Sequence, residues 1–342
     1  MNRVERILAT VGLEATDRPP VMPVLLMQGA RALGVELTDY FKRPSRLAEG
    51  QLALVERFDP DAVFAIPHIV QDVLPWGSGL DFHPDGPPSV NGMVIPNKEA
   101  IPSLKAPDPT AHAYLRSSLR AAERLAREVK GERLIVGAQI GPFSLPTMLM
   151  GTRKFLELLL LPPAERRRWL DPLMEVMLKA TTRWGEALFN AGCDVVVVAE
   201  GIASAAIITP ELFSEVAAPV IRRHIAAMPG PVGFEFVGPA MPMLPRARDL
   251  GAAVWLLGEE DPVDRARTAV GRSGAIMGTI NNLKLLRWHH ERVEFEARRL
   301  IDLAGPGFIL SNQGPEVPWA TPDANIEAIV RAAHRGARRR AA

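Results

Sequence analysis

The sequence is short of cysteine, of unbalanced charge and of long apolar runs, and each shortage removes a class of protein. One cysteine, Cys193, stands among 342 residues, so neither a disulfide framework nor a cysteine-rich metal cluster can form within one chain. Cys193 precedes an apolar strand and reads as a packed, inert thiol rather than a nucleophile. Forty Lys and Arg against 39 Asp and Glu leave a net charge of +1, which gives no general attraction to nucleic acid or to a membrane. The local excess, Arg335, Arg338, Arg339 and Arg340, reads as a solvated end. No stretch approaches the roughly 18 apolar residues that span a bilayer. Residues 1–10, MNRVERILAT, break their apolar positions with charge where a signal peptide needs an uninterrupted core. The expectation is a cytoplasmic protein.

What is present is a series of short apolar strands. In residues 192–210, GCDVVVVAEGIASAAIITP, the run 195–199 is β-branched, too short for a helix and without polar alternation, as in a strand buried on both faces. Glu200 leaves its C-terminal end, and Thr209-Pro210 opens the next helix. Glu200 either lines a site or accepts hydrogen bonds from the turn. Comparable runs at 21–26, 62–66, 134–138, 232–237, 254–257, 275–278 and 308–310 are separated by helical segments. Eight strands alternating with helices predict an α/β fold, a (β/α)8 TIM barrel, as a single domain over 1–342 with a Gly- and Pro-rich hairpin excursion at about 77–109. A doubly wound open sheet fits the alternation almost as well, but no G-x-G-x-x-G follows the first strand.

In a barrel the strand C-termini surround the active site. The residues found there are Arg31, His68, Gln139, Glu200, Glu235, Asn281 and Gln313. Glu235 is the anomaly, a carboxylate between Phe234 and Phe236 in a run that is otherwise buried. Without a partner it would cost several kcal/mol there. If the phenylalanines face the helical layer, alternation turns Glu235 into the barrel. Three roles stay open for it: a ligand to a hard metal with His68 and Glu200, a metal-free general base, or a hydrogen-bonding group for a ligand. His224, His289 and His290 read as core or surface histidines, and Asp72 as a local cap within reach of the cavity. Trp76 and Trp319 either line loops or stack on a flat ligand. Asp81 to Gly86, DFHPDG, matches the D-x-H-x-x-G corrinoid pattern but lies in the excursion with no such domain around it.

The ordered segments RPPVMPV, FDPDAVF, GPFSLPTMLMG, EGIASAAIITP, GPAMPML and GPEVPWATPDANI together resemble the superfamily of uroporphyrinogen decarboxylase and the methylcobamide:coenzyme M methyltransferases. The resemblance covers nearly the whole chain and implies a barrel with its site at the strand C-termini. The decarboxylase branch carries aspartate where this chain has His68, tyrosine where it has Met148, and histidine where it has Gln313. Its paired first-loop arginines are reduced to Arg31. The methyltransferase branch resembles this chain more closely in its turns. There, zinc is held by a His-x-Cys pair and a distant cysteine, and it activates a thiol; here those positions are Glu235, Val237 and Gln313, so the usual zinc site is absent from the pattern. The resemblance implies transfer of a methyl group between a cobamide on a separate corrinoid protein and a small acceptor. Glu235, His68 and Glu200 would act as the catalytic set, with Arg31, Gln139, Asn281, Gln313 and Met148 on the substrate. The alternatives are a decarboxylase or lyase acting on a tetrapyrrole or small acid, and a non-catalytic binding subunit; an oligomer is compatible with each.

Overall fold

Seven short parallel strands curl into a barrel in the computed structural model, which describes the backbone of residues 1–340 and the side chains of 1–335. The side chains of Arg338, Arg339 and Arg340 lie outside the described residues. The wall strands are β1 (Ala62–Phe64), β4 (Leu134–Ile140), β5 (Val195–Ala199), β6 (Val232–Glu235), β7 (Val254–Leu256), β8 (Ala275–Ile280) and β9 (Phe308–Asn312), each beside the next in that order. Two further strands, β2 (Gly79–Asp81) and β3 (Ser89–Asn91), form the antiparallel hairpin of the excursion. The wall strands are buried on both faces, as their unbroken apolar runs require. Inward residues such as Phe64, Val136, Val197, Leu256 and Met277 form one cluster inside the barrel. Their outward neighbours pack under helices such as Ala113–Val129, which buries Leu115, Ala122, Leu125 and Val129 along one stripe.

The expected first strand, 21–26, is corrected to a single bridge, Val21 beside Leu310. Pro19, Pro20 and Pro23 remove the amide donors that a ladder would need. Closure instead uses a few backbone bonds and buried side chains. Met22 N donates to Leu310 O at 2.9 Å, Leu310 N to Pro20 O at 2.8 Å and Asp61 N to Val21 O at 2.9 Å. The Asn312 side chain accepts from Val24 N at 2.8 Å, and Ser311 Oγ donates to Met22 O at 2.8 Å. Asp61, fully buried, accepts from two Arg18 nitrogens at 2.7 Å, from Arg6 at 3.3 Å and from Val21 N at 2.8 Å. A carboxylate with this many donors ties the N-terminal segment to the start of β1.

Phe64, Val197 and Leu256 border two cavities along the barrel axis. The one toward the strand N-termini is apolar, about 280 Å³, with Ile7 and Val11 of the helix Arg3–Val11 in its lining. The one toward the strand C-termini, about 220 Å³, contains the ionisable groups considered next.

Candidate active site

The upper cavity has apolar walls and three polar residues, His68, Glu235 and Glu316. Pro87 and Pro88 of the hairpin connection also line it, so the excursion contributes to its enclosure. Glu235 ends β6. Phe234 and Phe236 face outward, Phe234 against Trp255 and Phe236 against Phe213, with ring centroids 5.8 and 5.9 Å apart. The pleat therefore sends Glu235 inward. Its Oε1 is buried and has no hydrogen-bond partner among the described residues. It lies so close to the backbone of the 314–316 turn that a Cβ on Gly314 would sit 1.4 Å from it. Burial pushes the Glu235 carboxyl up to about 7.

Glu316 was not among the sequence expectations for this site. It enters on the GPE turn four residues beyond β9, and its Oε2 is closed off from solvent without a partner among the described residues. Burial, with the Glu235 charge adding to it, pushes this carboxyl up to about 8. Two carboxyls in one apolar chamber resist double ionisation and titrate as a coupled pair. The available signal was the GPE string itself, but a residue so far past the strand end has no pleat to give its direction.

His68 follows β1. Its Nε2 lies 2.7 Å from Tyr114 Oη, and Tyr114 Oη donates to Phe41 O at 2.5 Å. A phenol has one hydrogen, so Nε2 of His68 must be the donor in the first bond. Nδ1 is then a bare acceptor, buried and without a partner among the described residues. Burial lowers the His68 pKa to about 3, so the ring is neutral at ordinary pH.

The other expected residues do not join these three. Gln139 points outward, its Nε2 2.9 Å from His224 Nε2 between the helices; Ala138 takes the inward position instead. Glu200 has the outward parity of Val196 and Val198, is fully buried, and accepts from Phe143 N at 3.0 Å. Burial pushes it up to about 7. It supports the turn after β4 and is not part of the cavity lining. Arg31 bonds Asp323 and Thr321 O at 2.9 Å each and lies over the Trp319 ring, which turns both side chains away from a ligand role in the cavity. Asn281 caps the helix Asn282–Leu285. Gln313 accepts from Glu259 N at 3.2 Å, and Met148 packs in the outer core. Asp72 accepts from Ile140 N at 2.8 Å and borders a separate small void with Trp76.

The thiolate-type zinc set does not fit these residues. Val237 is apolar, partly exposed and at φ 51°, while Gln313 is engaged with a backbone amide. No group of three His, Cys, Asp or Glu side chains suited to a metal is found among the described residues. The same residues also show no helix long and apolar enough to cross a membrane.

The family model described as uroporphyrinogen decarboxylase matches residues 2–336. A uroporphyrinogen decarboxylase of Bordetella petrii is 24% identical over 95% of both chains. A methylcobamide:CoM methyltransferase of Methanosarcina barkeri is 22% identical over 96% of both. Among solved structures, a methyltransferase from Methanosarcina mazei superposes with a TM-score of 0.89 at 20% identity, covering 98% of this chain and 99% of that one. This structural likeness carries the barrel fold, and the relatives divide between two activities.

Proposed function

Because the chain belongs to the uroporphyrinogen decarboxylase family, whose named relatives are decarboxylases and methyltransferases, we propose that it is a methyltransferase component acting on a small acceptor in the upper cavity. The methyl group would come from a cobamide carried by a separate corrinoid protein docked over the C-terminal mouth, and no thiolate-held zinc would take part. The observation that carries this reading is the Glu235–Glu316 pair, with His68 as a neutral third group. A carboxyl with a pKa near the working pH is matched to general-base work. A methylated cobamide supplies an electrophilic methyl group. The acceptor's lone pair forms the new bond to the methyl carbon, the electrons of the old bond stay with the donor, and the acceptor's proton passes to the ionised carboxylate of the pair. Glu200 has no part in this step, because it faces the helical layer.

The same pair argues against a polycarboxylate tetrapyrrole. At about 220 Å³ the chamber is smaller than an ordinary drug-sized pocket of roughly 300–1,000 Å³. Its polar residues are two glutamates and a neutral histidine, so an anionic substrate would meet like charge without a compensating cation in the lining. The test is the rate at which methylcobalamin loses its methyl group, followed by absorbance, with the chain and a panel of small thiol, hydroxyl and amine acceptors. Glu235→Gln should cut the rate about 10²–10⁴-fold. No acceleration by the native chain, together with decarboxylation of a porphyrinogen, would replace this reading with the decarboxylase one. No turnover in either assay would favour the binding subunit.

A further inference from the structure

The cavity offers hydrogen-bond acceptors and lacks donors to match. The Glu235 and Glu316 carboxyls and the His68 ring line it. Glu235 Oε1, Glu316 Oε2 and His68 Nδ1 are closed off by protein and unpartnered among the described residues, so the other carboxyl oxygens, Glu235 Oε2 and Glu316 Oε1, are the ones left to meet a ligand. The Tyr114 hydroxyl, committed to Phe41 O, fixes His68 Nδ1 as an acceptor. Ionised carboxylates only accept. The nearest expected cation, Arg31, is turned away into its own pair with Asp323. An unpaired buried acceptor costs free energy that a ligand donor can recover, and a buried carboxylate pair gains most from a donor that also carries positive charge. Leu26, Val197 and Leu256 surround these atoms with hydrocarbon, which gives the rest of the ligand an apolar seat.

We infer that the acceptor taken into this cavity is a small primary or secondary amine, entering as its ammonium ion, with its N–H groups on the Glu235 and Glu316 carboxylates and its apolar substituent against the barrel wall. This rests on the reading of the upper cavity as the acceptor site. In the transfer itself the ammonium gives one proton to a carboxylate of the pair. The nitrogen lone pair so released then bonds the methyl carbon, and the methyl donor keeps the electrons of the bond that breaks. An N-methylated ammonium and a protonated carboxyl result, so the proton count and the electron pairs balance.

The experiment is calorimetric titration of the full native chain at pH 8.5 with three probes of equal length, butylammonium, butanol and butyrate. Butylammonium is expected to bind at least tenfold tighter than butanol, with butyrate weaker than either. Glu316→Gln should remove most of the tenfold preference while leaving butanol binding within about twofold. Equal affinity for butylammonium and butanol, or tighter binding of butyrate, overturns the inference even if the variant fails to fold, because the native chain alone decides it. The methylcobalamin assay separates the two claims. Methylation of a thiol or alcohol with no amine preference in binding sinks the amine and spares methyl transfer. Strong ammonium binding with no methyl transfer to any acceptor sinks methyl transfer and leaves an amine-binding cavity.

Discussion

Replacing Glu235 by glutamine should make the protein more stable in mild alkali and leave it nearly unchanged in acid. The carboxyl moves from 4.5 to about 7 on folding because burial disfavours its charge, so the native state holds this proton more tightly than the unfolded chain. Below pH 4.5 both states are protonated and no penalty exists. As pH rises from 4.5 to 7 the unfolded chain ionises while the native chain does not, so native stability falls, and the full penalty is present above 7. A displacement of this size corresponds to about 3 kcal/mol, and relaxation of the cavity with entry of water reduces it to about 2 kcal/mol. Glutamine keeps the shape beside Gly314 and carries no charge. It also removes the like charge that raises Glu316, an effect of the same sign. Thermal unfolding followed by circular dichroism at pH 4.5 and pH 8.5 tests this. The variant's Tm should exceed the native one by a few degrees at pH 8.5 and match it closely at pH 4.5. An equal difference at both pH values, or a less stable variant at pH 8.5, would refute the argument by showing Glu235 ionised and paired in the native cavity.

Three other outcomes follow from the same structure. Gly314→Ala places a Cβ where Glu235 Oε1 now lies; it should cost about 1–3 kcal/mol and lower turnover in the proposed methyl transfer as far as Glu235→Gln does, which steady-state kinetics would show. Asp61→Asn leaves the buried Arg18 without its anion and Arg6 with Asp17 alone and should destabilise the fold by about 3–5 kcal/mol, read from urea unfolding. The Cys193 thiol, pushed up to about 12 mainly by burial, should resist iodoacetamide at pH 8 until the chain unfolds, as mass spectrometry of intact protein would record.

Seven of the eight expected wall strands, and their order, could be read from apolar runs, but the direction of their terminal residues could be read at only one. Around Glu235 the sequence FEF alternates in kind, so the pleat has a visible phase, and the inward turn was legible. In LIVGAQ and VVVVAE every residue before the last one is small or apolar. Nothing in the letters says which face Gln139 or Glu200 takes, and both face the helices. His68 lies in a strand-end loop but is fixed by Tyr114, 46 residues away in sequence, a partnership no local pattern contains. Glu316 stands in a turn, where period-two reasoning stops. The first strand misled for a different reason: VMPVLL is apolar enough for a strand, but its prolines cannot feed a ladder.

That proline-rich closure has a consequence for how the barrel opens. A complete ladder would lock the ring equally all round, whereas here the join between β9 and β1 rests on a few backbone bonds together with the Asn312, Ser311 and Asp61 side chains. Hydrogen exchange of the amides of Met22, Val24 and Leu310 should therefore lead that of the β4–β5 ladder, making this join the hinge line of partial unfolding. When it parts, β1 and β9 become open sheet edges of the kind that recruit strands from other molecules. The three prolines on the intervening segment make that segment a poor strand for exchange between copies, so the feature that weakens closure also limits its misuse.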